Sequence, residues 1–170
     1  MISPPFIKAM AAYNREMNLR LYSAAARLTG EERRKDRGAF WRSIHGAFNH
    51  LLWAGRMWMS RFAGMQKPGI PLASSHEPIE DFATLQATRK GFDATICSWA
   101  DSVDQAWLDR NQHWFSGALQ RDAAAPGTLL IVHFFNHRTH RRCQVHALIT
   151  AAGEKTGDTD LFQIPAGPNA

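Results

Sequence analysis

Four long stretches of the chain carry apolar residues three and four positions apart, the spacing that places side chains on one face of an α-helix. The first stretch follows a Pro-Pro pair, and the second is followed by Gly64, a common helix stop. The third breaks near Ser102 and resumes to Leu108, and the fourth begins after Gly127. The predicted helices cover residues 6–28, 39–62, 79–101 and 128–152.

The segments between these stretches have the composition of turns and loops. Residues 64–78 are rich in glycine, proline and serine, which indicates a long loop. Residues 112–122 alternate weakly in polarity, which fits either a small hairpin or an irregular segment. We therefore predict one all-α domain over residues 1–170, an antiparallel up-down four-helix bundle with a long loop and a short hairpin-like or irregular segment before the last helix. The six tryptophans are predicted to be core and interface residues.

Composition and charge narrow the class of protein. Two cysteines, Cys97 and Cys143, form neither a disulfide framework nor a metal finger. No apolar run reaches the roughly 20 residues of a membrane-spanning helix, and the N-terminus does not read as a signal peptide, so a cytoplasmic location is predicted. The net charge of +5 is spread along the chain, and without a recognition motif or stacking platform it does not favour nucleic acid as a partner.

Half of the chain's eight histidines fall in "HFFNHRTHRRCQVHALIT", residues 133–150. At 100° per residue, His133, His137, His140 and Arg141 share one helix face with apolar residues, whereas His146 lies opposite. A histidine on an apolar face must be hydrogen-bonded or bound to metal, because burying it unpaired costs free energy. His50 lies near the apolar stripe of the second predicted helix and can point inward towards this cluster, whereas His45, about 140° away, is predicted to be exposed.

Several segments resemble, in order and spacing, the DinB-like or YfiT-like family of damage-inducible helical proteins. The segments are "MAAYNREMNLRLY" (10–22), "GAFWRSIHGAFNHLLWA" (38–54), "FNHLLWAGRMWMSRF" (48–62) and "FNHRTHRRCQ" (135–144). The resemblance covers nearly the whole chain. It implies a four-helix bundle with a zinc or nickel site, held by one histidine of the second helix and an i, i+4 histidine pair of the last.

His50 and His137 match two of the ligands that the resemblance implies, but the third position departs from the family pattern. Arg141 stands there, and its guanidinium has no lone pair to offer a metal. The expected set is therefore His50, His137 and His140, with His133 as the alternative to His140. Two further departures are Cys143, where glycine is usual, and Gly55, where an aspartate is common.

The resemblance implies an activity related to thiol-dependent S-transferases, in which a metal lowers the pKa of a bound thiol or water. On that reading the protein is a metal- and thiol-dependent transferase or hydrolase, its partner is a low-molecular-weight thiol or another small substrate, and it forms a homodimer. The alternative is a non-enzymatic stress-response or small-ligand-binding protein with a degenerate metal site, in which Arg141 replaces the metal charge and an anionic ligand binds.

Overall fold

The computed structural model describes residues 2–117 and 119–164 and is mostly helical. The helices are α1 (Pro4–Ala26), α2 (Gly30–Arg34), α3 (Ile44–Phe62), α4 (Phe82–Ser102), α5 (Gln105–Asp109) and α6 (Gly127–Ala151). Two strands, β1 (Asn111–Ser116) and β2 (Arg121–Pro126), precede α6, and single 3₁₀ turns lie at Leu72–Ser74 and Leu161–Gln163. No helix within these described ranges is long and apolar enough to cross a membrane.

Side-chain caps fix the start of most helices. Ser43 Oγ accepts a hydrogen bond from the backbone N–H of Gly46 (3.0 Å) at the start of α3. Asp81 accepts one from the N–H of Thr84 (2.7 Å) at the start of α4. Asp104 caps α5, which explains why the helix that ends at Ser102 resumes at Gln105, after a break of two residues. Each cap satisfies a backbone donor that the helix itself leaves free.

The prediction that the second long helix begins at residue 39 was wrong by five residues. Arg42 has φ 64°, in the left-handed region that an α-helix excludes, and its N–H donates to the carbonyl oxygen of Ala39 at 2.8 Å. Residues 39–42 therefore form a tight turn, and the helix begins only after the Ser43 cap. The turn also places Trp41 against the side of α3, where it contacts His50.

The hairpin alternative for the segment before the last helix is confirmed. The strands β1 and β2 pair antiparallel, with Asn111 opposite Pro126 and Ser116 opposite Arg121. The four long helices pack on one another: α1 contacts α4 and α6, and α3 also contacts both. Their shared core is apolar and rich in aromatic rings; its most deeply buried members include Ile7, Ile44, Phe48, Met59, Leu85, Ile96, Ile131, Phe134, Phe135 and Ile149.

Candidate functional site

The predicted ligand residues lie at different depths. His50, on α3, is buried and only 3% exposed. His137, on α6, is half-buried, whereas His140 and His133 are exposed. The ring of His133 stacks on His137 with centroids 5.7 Å apart, and it also contacts Trp58 at 4.8 Å. His50 and His137 therefore line the junction of α3 and α6, and His140 lies on its outer side.

Three neighbours hold the His50 ring in place. Trp41 stacks on it with centroids 3.9 Å apart and planes 22° apart, and Trp53 lies 6.0 Å away on the same helix. Ser75, from the loop before α4, shares a hydrogen bond of 2.9 Å between its Oγ and His50 Nδ1. Within the described residues Nε2 has no hydrogen bond, so it is the ring atom left to bind a ligand.

Arg141 brings a permanent positive charge to this junction. It is half-buried on α6, its guanidinium lies 5.3 Å from the ring centroid of Phe40, and Nη1 donates to Gln144 Oε1 at 3.3 Å. Its Nε is shielded from solvent and has no partner within the described ranges. The guanidinium therefore retains donors that could bind an acceptor.

The charge of Arg141 acts on the pKa of both imidazoles. Burial, followed by the charges of Arg141 and His137, lowers the pKa of His50 to about 3. Burial, again followed by the charge of Arg141, lowers the pKa of His137 to about 4. Both imidazoles are therefore neutral near pH 7. We call the group of His50, His137, Arg141, Trp41 and Ser75 the Arg141 pocket, a name for these side chains and not for a measured cavity.

The donor set of the Arg141 pocket does not suit a divalent cation bound by three protein ligands. Two neutral imidazoles face the pocket, but the third position holds a guanidinium, which repels a cation and has no lone pair. Across residues 2–117 and 119–164, no three histidine, cysteine or acidic side chains come together as a metal-holding group. The assignment of a metal to His50, His137 and His140 stays a prediction.

The long loop contributes to the site in a way that helical periodicity could not reveal. Ser75 and His76 come from residues 63–81, which fold over the beginning of α3. The same loop covers His45, which was wrongly predicted to be exposed: it is 6% exposed, and its Nε2 bonds to the carbonyl oxygen of Ile79 at 2.8 Å. The Asn49 side chain also bonds to the backbone of Ile79, and so fixes the loop against the helix.

The buried face of α6 is rotated from the face that the histidine pattern indicated. Arg138 and Arg142 point into the core and are 3% and 5% exposed. Arg142 donates to the side chains of Asn14 (Nη1 to Oδ1, 2.5 Å) and Thr139 (Nη2 to Oγ1, 3.1 Å). Neither arginine was predicted to lie in the core, because hydrophobic spacing counts arginine as a surface residue.

Among the described residues, Arg138 is the polar side chain of the core with the most unpaired nitrogens. All three of its guanidinium nitrogens are buried without a hydrogen-bond partner in the part of the chain that the structure describes. The guanidinium packs on Phe134, 4.4 Å from its ring centroid, and fills the space beside Gly55. A Cβ at position 55 would lie 2.0 Å from Arg138 Nη2, so the glycine is what makes room for this arginine.

We expect stability to fall below pH 6.5, partly because of His50. Its pKa is about 3 in the folded protein and near 6.5 when unfolded, so the unfolded state binds the proton first as pH falls. This contribution to stability is complete above pH 6.5 and is lost between there and pH 3. Replacing His50→Asn keeps a polar group for Ser75 and should reduce the slope of unfolding free energy between pH 6 and pH 4 by about 1 kcal/mol per pH unit.

The measurement is urea unfolding at several pH values, with His113→Asn as the control. His113 is exposed on β1, so its replacement should leave the slope as it is in the parent protein. Equal slopes for the His50→Asn variant and the parent would contradict the assigned pKa of His50.

Comparison with known proteins agrees with this architecture. The model of the DinB family matches residues 3–167. A crystal structure of a DinB-like protein from Bacillus cereus ATCC 10987 superposes with a TM-score of 0.62 at 15% sequence identity, covering 84% of this chain and 89% of that one. At this identity the likeness concerns the fold alone. No curated protein matches the chain. Because the family model spans almost its whole length, the chain belongs to the DinB family.

Proposed function

We propose that this DinB-family protein binds a small anionic ligand in the Arg141 pocket, and that the Arg141 guanidinium supplies the positive charge expected of a metal. The observation that carries the proposal is the position of Arg141, whose charge acts on His50 and His137 while both imidazoles are neutral. A neutral imidazole can donate one hydrogen bond, and a guanidinium forms strong charge-assisted bonds to carboxylate, sulfate or phosphate oxygens. Together they suit an oxyanion better than a cation.

The architecture that we propose for this function is an antiparallel up-down bundle of α1, α3, α4 and α6. The pairwise packing of these four helices supports it, as does the short hairpin that leads into α6. We further propose a homodimer, supported by exposed apolar side chains at Phe115, Leu119 and Leu129, around the hairpin and the start of α6. A light-scattering mass near that of one chain, 19.1 kDa, would contradict the dimer.

A second candidate function is that of a zinc- or nickel-dependent enzyme that acts with a thiol. One observation favours it: a hydrogen bond in which His50 Nδ1–H donates to Ser75 Oγ is the kind of outer contact that orients a metal-binding histidine and leaves Nε2 free for the ion. On this reading His50 and His137 would hold the ion and His140 would complete the set. The metal would lower the pKa of a bound thiol or water. His140 would have to turn inward, because its side chain is exposed.

Sulfate should separate the two functions, because its charge stays constant between pH 6 and pH 8. Thermal unfolding would be followed with sulfate, with zinc or nickel, and with EDTA. At concentrations about 100-fold above Kd, sulfate should raise the Tm of the parent by roughly 5–10 °C. The shift should be similar at pH 6 and pH 8, because the pKa values of His50 and His137 lie well below both.

Two matched variants distinguish sulfate binding at the Arg141 pocket from the general stabilising effect of sulfate as a salt. Arg141→Gln should lose most of the sulfate-dependent shift, whereas Arg56→Gln, the same charge change at an exposed position of α3, should retain it. Equal shifts in both variants would contradict the anion proposal. Stabilisation by zinc or nickel at pH 8 that EDTA reverses would support the metal-dependent function instead.

A further inference from the structure

A cavity of about 430 Å³ lies between α1 and α4. Its buried lining comprises Asn18 and Tyr22 of α1 and Arg89 and Asp93 of α4, each no more than 3% exposed. Small apolar side chains such as Ala83 and Ala87 form other parts of its wall, and none of the residues that define the Arg141 pocket lines it. The volume is within the usual range for small-molecule sites.

Two hydrogen-bonding groups in this lining have no partner. Tyr22 Oη and Arg89 Nη1 are both shielded from solvent and unbonded within residues 2–117 and 119–164. The other nitrogens of Arg89 are engaged with Asp93, Nε donating to Oδ2 at 2.9 Å and Nη2 to Oδ1. Buried donors without acceptors are rare in folded proteins, because each costs the free energy of its lost hydration. The two groups therefore indicate a missing acceptor.

Asp93 cannot be that acceptor, because its carboxylate is already fully used. Besides Arg89, it accepts hydrogen bonds from Asn14 at 2.9 Å and from Asn18 at 3.0 and 3.1 Å. Among the described residues, Asp93 is also the only buried carboxylate, whereas three arginines are buried: Arg89, Arg138 and Arg142. The buried side chains therefore carry more positive than negative charge and favour an additional anion.

The remaining lining limits what this anion can be. Glu16 and Asp93 both contribute negative charge to the cavity, which disfavours a multiply charged group such as phosphate. The exposed Arg15 and Lys90 contribute positive charge, and the alanines provide an apolar surface. A carboxylate with a short apolar chain satisfies all of these features, because it carries one charge and its planar oxygens match a guanidinium.

We propose that the cavity between α1 and α4 binds a small organic monocarboxylate, whose oxygens accept hydrogen bonds from Arg89 Nη1 and Tyr22 Oη. The apolar chain lies along Ala83 and Ala87 towards the outside. Both donors are shielded from bulk water, so bonds to them form in surroundings of low dielectric constant, where they contribute more than at the surface. This site is independent of the Arg141 pocket and does not need the function proposed there.

Hexanoate is the probe, and isothermal titration calorimetry is the measurement, with hexanamide as the neutral ligand of the same shape. With sulfate present to occupy the Arg141 pocket, hexanoate should bind at one site per chain and at least about tenfold more tightly than hexanamide, because a charge-assisted bond is stronger than a neutral one. Tyr22→Phe should weaken hexanoate binding about tenfold through the lost hydrogen bond. It should not lower the Tm, because the ring still stacks on Phe48, 3.8 Å away, and an unsatisfied buried hydroxyl is removed.

Three controls make the test specific. Tyr13→Phe changes a tyrosine of the same helix outside this cavity and should leave hexanoate affinity unchanged. Ala87→Trp, at an exposed position of the cavity wall, should block binding without disturbing the core. Arg141→Gln should bind hexanoate as the parent does, which separates this site from the Arg141 pocket.

Several results would overturn the proposal. These are absence of hexanoate binding, equal affinity for hexanoate and hexanamide, and parental affinity in the Tyr22→Phe variant. Loss of binding in the Arg141→Gln variant would place the ligand in the Arg141 pocket and would also contradict the site between α1 and α4.

Discussion

Replacing Arg138→Met should raise the free energy of unfolding by about 2–4 kcal/mol, although it removes a large, buried, positively charged side chain. Arg138 is 3% exposed and has no hydrogen-bond partner within the described residues. Burial, followed by the charge of Arg89, lowers its pKa well below the usual value, so its charged form is held at a cost in the folded protein. Methionine retains apolar contact with Phe134 and adapts to the space beside Gly55.

The measurement is urea unfolding at pH 7, with an unchanged m-value as evidence that the same two states are compared. The matched control is Arg142→Met, at the next inward position of α6. Arg142 donates to Asn14 and Thr139, so its replacement leaves acceptors without donors and should lower stability. A loss of stability in the Arg138→Met variant as well would mean that the Arg138 guanidinium has a partner in solution.

Gly55 explains how the Arg138 guanidinium fits into the core. The resemblance to the family implies that an aspartate is common at this position, and an acidic side chain there would stand directly against Arg138. In this chain the guanidinium occupies that space instead, with Phe92 Cε1 only 2.7 Å from where a Cβ would lie. The two departures thus have a similar effect on charge. Gly55 leaves Arg138 without the acidic neighbour that the family resemblance implies, and Arg141 puts a positive charge where the resemblance implies a neutral histidine.

The second large effect is expected at position 141. Arg141→His should raise affinity for zinc or nickel by about 100-fold or more, because it removes a repelling charge and provides an i, i+4 pair with His137. His50 is already oriented by Ser75, with Nε2 left to bind. Affinity would be measured by competition with a chromogenic chelator at pH 8, where the His50 and His137 imidazoles are neutral and each has a lone pair for the ion.

Arg141→Gln is the control that separates the two causes. It removes the charge without adding a ligand, so it should gain much less affinity than Arg141→His. If both variants bind metal equally, repulsion rather than the missing ligand limits the site. If neither binds more tightly than the parent, Arg141 does not lie where the third ligand is needed.

The helices could be predicted from the sequence because their apolar spacing and stop signals are local properties of the chain. The beginning of α3 could not, since a left-handed Arg42 and the Ser43 cap carry no periodic signal. At the site, the inward position of His50 was predicted correctly from its helical phase. Ser75 was missed because it reaches the site from a loop whose path depends on tertiary contacts with Ile79.

The phase of α6 shows the limit of hydrophobic patterns most clearly. Residues 133–141 place histidines among apolar side chains, which indicated that the histidine face is the buried one. The buried face instead carries Phe134, Arg138 and Arg142, because polar partners on α1 and the space at Gly55 accept arginines in the core. Such compensation depends on residues distant in sequence, and local spacing cannot reveal it.

The metal content of untagged protein tests the central claim most directly, namely that the Arg141 charge stands in place of a metal. The protein would be dialysed at pH 8 against zinc or nickel, freed of unbound ion by gel filtration and analysed for its elements. We predict well below one zinc or nickel ion per chain, with no difference between the parent and a His50→Asn variant. About one ion per chain, lost in the His50→Asn variant and removed by EDTA, would contradict the claim and would assign the pocket to a metal.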